Sequence, residues 1–336
     1  MRGLTTSLWP VRYKPFPDEV LSSWLVRLAH GHGLKVQTFC NLIFGNRLQI
    51  WNRDIDRLAP EWLLNELSEK TGTDIAVARG TTVRSYEGRL FARFKPSGSL
   101  PWILVLKLYH RTFEGFGFQF CPHCLSEDMQ PYFRRSWRVA LSTTCDRHKR
   151  LLLDRCPECG SGVAFHRRDM GKGADGIGEL LSDCHYCGFD LRIAPADVVP
   201  RYNEAATTWL QSLRAELVSG ADQDTVLEKL AVMRQLTRLL TSTLARVVLH
   251  SHVCEAVGID EPLLTKGEKI PFESRSLLER HHLIQLVAWL MADLEPRLRS
   301  AWSARALRYN HMKKDFDDAP DWYISIVDKF ANWRER

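Results

Sequence analysis

Apolar residues recur at helical spacing over much of this chain, and the breaks in that spacing divide it into three stretches. Near the N-terminus Val20, Leu21, Trp24, Leu25 and Leu28 fall on one helical face, which predicts an amphipathic helix. Asp18 and Glu19 precede it and Arg27 and His30 close it, an order that suits the helix macrodipole. Gly31 and Gly33 end it. Val36, Phe39, Ile43 and Phe44 predict a second helix that stops at Gly45. Two helices joined through His30-Gly31-His32-Gly33 resemble a helix-turn-helix. In that arrangement Lys35, Gln37, Thr38 and Asn41 of the second helix face a groove or a partner. A plain helical hairpin fits the same pattern. Residues 62–67 and 73–78, split by Thr71-Gly72, form a second pair that competes for the role.

The middle stretch loses the helical period. Residues 84–100 are rich in Gly, Ser, Arg and aromatics and predict a loop or a short strand pair. Residues 101–120 predict an apolar helix that leads into the aromatic run 113–120. Beyond Pro195 the period returns, first over residues 205–218 and then through Leu227, Leu230, Met233, Leu236, Leu240, Leu244 and Val247. Residues 258–271 break the pattern, 277–294 predict a strong helix, and further helices carry Trp302 and Leu307, then Trp322, Ile326, Val327 and Phe330. Leu and Met stripes of this kind are core. The chain is therefore expected to be mainly α. Residues 1–115 form an N-terminal helix-turn-helix-like domain, 116–195 a tandem zinc-ribbon segment, and 196–336 a C-terminal all-α domain.

The middle stretch gains its order from cysteine. Cys121-Pro-His-Cys124 is followed after 20 residues by Cys145-Asp-Arg-His148. After seven more, Cys156-Pro-Glu-Cys159 begins a second set, closed 24 residues later by Cys184-His-Tyr-Cys187. Two residues between ligands let both reach one ion from a tight turn, and a lone knuckle cannot complete a tetrahedron. The spacing thus pairs Cys121, Cys124, Cys145 and His148 as one quartet, and Cys156, Cys159, Cys184 and Cys187 as another. Both are full, so the two expected Zn2+ ions are structural and not catalytic. Gly160 and Gly188 follow the last Cys of their knuckles, where positive φ costs glycine little. Arg147, Lys149, Arg150 and Arg155 stand ready to offset thiolate charge. His123 and His185 lie inside knuckles already complete and are expected beside the ligands, not among them. Of nine cysteines, Cys40 and Cys254 remain and are expected to be buried inert thiols.

Composition adds bounds. Hydrophobic residues make up 45% and charged residues 26% of the 336, the balance of an ordinary folded protein. The first ten residues hold no apolar signal-peptide core, and no apolar run reaches membrane length, so a soluble chain in a reducing cytosol is expected. A net charge of +6 permits nucleic-acid binding without requiring it. The charge concentrates near the cysteines, where Arg134, Arg135, Arg138, Lys149 and Arg150 predict a surface facing phosphate, or a solvated face balancing the thiolates. Gly171-Lys-Gly-Ala-Asp-Gly176 matches G-x-G-x-x-G but has no strand before it, so it reads as a loop tip. His250, His252, Cys254 and the pair His281-His282 read as surface and core residues, since on a helix only His250 and Cys254 share a face. No catalytic motif is found: G-x-x-x-x-G-K-[ST], H-E-x-x-H and the zinc-deaminase signature are all absent.

The run Pro17-Asp-Glu-Val-Leu-Ser-Ser-Trp-Leu-Val-Arg-Leu-Ala29, with Gly33 and Phe39, resembles the opening signature of the TniQ family. Phe120-Cys-Pro-His-Cys-Leu125, Trp137 and Cys145-Asp-Arg-His148, then Cys156-Pro-Glu-Cys159 with Cys184 and Cys187, resemble that family's zinc segment. The resemblance covers about the first 190 residues, and Pro320-Asp-Trp322 weakly resembles the family's end. It implies a non-enzymatic target-selection adaptor of Tn seven-like transposons in a bacterial cytoplasm, acting at the nucleoid. Such adaptors recruit a TnsC-like AAA+ ATPase, which recruits the transposase. Some members read target DNA themselves; others dock on a CRISPR Cascade-type effector, whose guide RNA selects the site. Some of this size form homodimers. A sequence-specific zinc-containing DNA-binding regulator is the alternative; a zinc-dependent hydrolase would need an open metal position.

Overall fold

Helix α1, Leu21–Gly31, carries the apolar spacing described above, yet it is enclosed on every side. In the computed structural model of the chain all residues from Leu21 to Ala29 are buried, Ser22, Ser23 and Arg27 included. Buried polar groups need partners, and each of these has one. Ser22 donates its backbone N–H and its hydroxyl to Asp56 at 2.7 and 3.0 Å. Ser23 Oγ donates to Glu19 at 2.8 Å. Arg27 donates to both oxygens of Glu19, at 2.8 and 2.6 Å, and lies 3.9 Å from the Phe16 ring centroid. Asp18 pairs with Arg135 at 3.2 Å. The two acidic residues ahead of α1 are thus ion-pair partners, and the carboxylate that accepts a backbone N–H from the first turn of the helix is Asp56.

The structure describes residues 7–45, 50–106, 108–109, 112–113, 115–169, 181–199, 203–220, 222–244, 247–265 and 270–331. They are mainly helical and divide into two compact units, Met1–Tyr86 with Phe94–Val199, and Glu87–Arg93 with Pro200–Arg336. Among the described residues no helix is long and apolar enough to cross a membrane.

In the first unit α2, Val36–Phe44, packs on α1 and ends at Gly45, whose φ of 78° suits glycine. Short α3, Ile55–Leu58, is capped by Asp54. Helices α4, Glu61–Thr71, and α5, Ile75–Gly80, pack together, α5 capped by Asp74. Residues 101–106 do not form the expected helix. Trp102 has φ of +63°, and the stretch spends its backbone groups on residues 138–140: Leu104 N–H donates to Arg138 O at 2.9 Å and Ala140 N–H to Trp102 O at 2.7 Å. Strands β1, Leu108–Tyr109, and β2, Thr112–Phe113, pair antiparallel. Within residues 84–100 there is a 3-10 turn at Val83–Tyr86 and a single bridge between Glu87 and Phe91, not a strand pair. Helix α6, Pro122–Glu127, begins inside the first cysteine knuckle. Phe118, Phe133 and Phe165 form a buried aromatic cluster, with Phe133 and Phe165 stacked at 4.3 Å.

The second unit is built of α7 (Glu204–Ser219), α8 (Gln223–Leu240), α9 (Leu249–Val257), α10 (Leu277–Ala292), α11 (Leu294–Ser303), α12 (Tyr309–Lys313) and α13 (Asp321–Asp328). Helix α10 is apolar nearly all round and sits at the centre, against α7, α8 and α11. Asn203, Asp222 and Ser276 cap α7, α8 and α10, the last with a full capping box to Glu279.

Candidate metal centres and the surface around them

Cys121 caps α6, and Pro122 at the first helical position brings Cys124 back over the same point. The opposing knuckle is a turn in which Lys149 N–H donates to Cys145 O at 2.9 Å. The two knuckles are held face to face by backbone pairing of Phe120 with Leu153 at 2.8 and 2.9 Å. His148 Nδ1 then lies 3.4 Å from Cys121 Sγ, 3.4 Å from Cys124 Sγ and 3.5 Å from Cys145 Sγ, and the Cys124 and Cys145 sulfurs are 3.6 Å apart. Metal–sulfur bonds of about 2.3 Å and a metal–nitrogen bond of about 2.0 Å give tetrahedral edges of about 3.5–3.8 Å. Four of the six donor separations therefore match those edges, and all four donor atoms lie within 4.8 Å of one another.

The second quartet repeats the plan. Cys156 and Cys187 sulfurs are 3.7 Å apart, and Cys159 and Cys184 sulfurs 3.6 Å. Gly160 N–H donates to Cys156 O and Gly188 N–H to Cys184 O, with φ of 71° and 80°. Lys149 occupies the equivalent place in the first quartet with φ of 53°. Burial pushes the Cys156 thiol up to about 12, so the thiolate becomes accessible there when a cation is bound. Both groups can hold a metal ion. The first is buried except at His148, whereas Cys187 of the second is exposed and Cys159 half-buried.

Sequence reasoning missed the residue that orients His148. Glu127, at the end of α6, lies 3.0 Å from His148 Nε2 and pairs with Arg147 at 2.6 Å. The hydrogen bond with His148, then the charge of Arg147, holds this carboxyl below its ordinary value. It fixes the tautomer that presents Nδ1 to the sulfurs. Nothing in its spacing from the cysteines marks it. His123 stacks beside His148 at 5.3 Å, next to the donor set as expected.

The arginines expected to face phosphate have other partners. Arg138 has no exposed side-chain surface; it donates to Asp54 at 2.6 Å and to Asp56 at 2.9 Å, and packs 4.8 Å from the Phe118 ring centroid. Arg134 pairs with Asp128 at 2.8 Å beneath the rings of Tyr132 and Trp137. Arg135 holds Asp18 and the carbonyl of Gly80. Arg138 thus ties the cysteine segment to α3, and Arg135 ties it to Asp18 ahead of α1 and to the end of α5, whereas Arg134 is paired within the segment; the wholly buried Arg138 is spent inside the fold. Lys149 is exposed and Arg150 half-buried. Arg155 pairs with Asp154 at 2.8 Å.

On α2, Gln37 and Thr38 are exposed, Asn41 and Lys35 half-buried, and Gln37 donates to Asn41 at 3.2 Å. Leu42 adds a 49% exposed apolar side chain to the same helix. The N-terminus of α2 is anchored from the cysteine segment, where buried Asp169 accepts from Val36 N–H at 2.7 Å. The glycine motif at 171–176 lies outside the described residues. In the second unit His250 and Cys254 meet His282, a meeting that no local spacing announced.

Residues 10–152 match the TniQ family model. The match takes in α1 to α6 and the first quartet, and ends before the second, which rests on its own geometry. No curated protein matches the chain.

Proposed function

We propose that this chain, a TniQ-family protein over residues 10–152, is a non-enzymatic target-selection adaptor for DNA transposition. It links whatever recognises the target, DNA itself or an RNA-guided CRISPR effector, to a TnsC-like AAA+ ATPase and so to the transposase. The family match carries the reading. The rest of the unit suits it: two donor sets of four residues each leave no ligand position for substrate. Metal binding there contributes folding free energy directly. The ions are taken as Zn2+, the borderline-soft cation that suits a tetrahedral set of three thiolates and an imidazole, or of four thiolates. The exposed side of α2, with Gln37, Thr38, Asn41 and Leu42, is the face offered to a partner.

The deciding experiment mixes purified chain with the ATPase and, separately, with target DNA across a salt series. An adaptor associates with the ATPase, and Leu42→Asp weakens that association at unchanged zinc content. If the chain ignores the ATPase yet binds one DNA sequence tightly, with affinity falling steeply in salt, the alternative reading stands. That alternative, a zinc-containing DNA-binding regulator, draws on the polar exposed side of α2. Copurification with a guide-RNA effector separates the RNA-guided branch from direct reading.

A further inference from the structure

His250 and Cys254 stand four residues apart on α9 and so share a face. His282 approaches them from α10. His250 Nε2 and His282 Nε2 are 2.7 Å apart, and Cys254 Sγ is 3.9 Å from His282 Nε2. All three donor atoms lie within 4.8 Å of one another. On the far side of the first ring, His250 Nδ1 meets Glu261 Oε1 at 3.0 Å. Cys254 and His282 are buried, whereas the His250 side chain keeps 12% of its surface exposed.

The carboxylate of Glu261 accepts the Nδ1 proton of His250, so the lone pair of that ring sits on Nε2 and points inward. It points at a second imidazole nitrogen with a sulfur alongside. A proton between the rings would account for the two nitrogens. It would not account for the thiol converging on the same point. We propose that His250, Cys254 and His282 form a third metal site, with two nitrogens and one sulfur for a transition ion of the Zn2+ class. A tetrahedral ion would need a fourth ligand that these three residues do not supply. Metal–nitrogen bonds of about 2.0 Å at the tetrahedral angle would set the nitrogens about 3.3 Å apart, a small rotation of two side chains from where they stand. The ion would fasten α9 to α10. With three protein donors against four in each quartet, it fills after the quartets and empties before them. The inference concerns residues outside 10–152 and does not depend on the adaptor reading.

The test counts metal in the full chain. Protein is saturated with Zn2+, passed through a desalting column and analysed for elemental zinc. Co2+ then replaces zinc so that sulfur-to-cobalt charge transfer reports thiolate ligation. Three equivalents are expected. Cys254→Ser and His282→Gln are expected to hold two, and Glu261→Gln to keep the third with affinity reduced about 10–100-fold. His250→Gln, at the partly exposed corner, disturbs the core least and serves if the buried variants do not fold. Saturation at two equivalents in the wild type overturns the proposal, as does a third equivalent that survives His250→Gln and Cys254→Ser. Either result would leave a histidine–histidine hydrogen bond beside a core thiol.

Discussion

Lys149, Gly160 and Gly188 hold the same left-handed position in three knuckles, so the cost of a side chain there can be read within one molecule. An added Cβ at Gly160 would meet no atom within 4 Å. Gly160→Ala should therefore report backbone strain alone, a loss of about 1 kcal/mol. Lys149→Gly should be neutral or stabilising by up to about 1 kcal/mol, because relief of strain is partly offset by a looser unfolded chain. Urea melts of the zinc-loaded variants measure both; equal losses would mean the left-handed geometry is wrong. His166 gives a second reading at this scale. It is stacked on Trp51 at 5.1 Å, and burial pushes its pKa down to about 3. The folded ring stays neutral while the unfolded one takes a proton below about 6.5. The stability it lends is complete above that pH and is lost as pH falls towards 3, by at most about 1.4 kcal/mol per unit. In excess zinc, His166→Phe should flatten the dependence of stability on pH between about 6.5 and 4.5 relative to wild type.

Among the elements, α10 shows how a sequence pattern can be correct and incomplete. Its apolar content predicts a buried helix, and its capping box is legible as Ser276 followed by Glu279. Ser276→Ala should cost about 1 kcal/mol, seen as a lower denaturation midpoint of the second unit. Residues 101–106 show the opposite outcome. Their composition suits a helix, but pairing with residues 138–140 supplies the hydrogen bonds a helix would have made itself. Local propensity yields when a distant partner satisfies the backbone. Helix α1 lies between these cases: its apolar face is plain in the sequence and Glu19 is a near neighbour of Ser23 and Arg27, while Asp56, Phe133 and Gln130, which also bond Ser22, Ser23 and Arg27, come from far along the chain.

For the first unit as a whole, Arg138 is the joint. It ties Asp54 and Asp56, 84 and 82 residues away, to the segment that carries the cysteines. Removing it leaves two carboxylates short of their cation, one of them wholly buried. Arg138→Ala should cost about 3–5 kcal/mol. The same joint predicts long reach for the metal. Removing whatever metal the quartets hold with a chelator should raise hydrogen exchange in α1 and α3 as well as in residues 120–152. Exchange confined to the knuckles would show that the helices stand without them. Because Cys187 is exposed and the three cysteines of the first quartet are buried, the second quartet should yield to chelator and alkylating agent first.

The sequence by itself determined the ligand quartets, the positive-φ glycines behind them and the positions of α1, α2, α4 and α10. All of these depend on residues a few positions apart, where spacing is geometry. Only the tertiary structure decided which charges are spent inside the fold. Arg134, Arg135 and Arg138 look like a basic patch along the chain, and their partners Asp128, Asp18, Asp54 and Asp56 come mostly from other elements. The meeting of His250 and Cys254 with His282, and of His148 with Glu127, has the same origin. A side chain's partner across a long loop is set by packing, which no local pattern records.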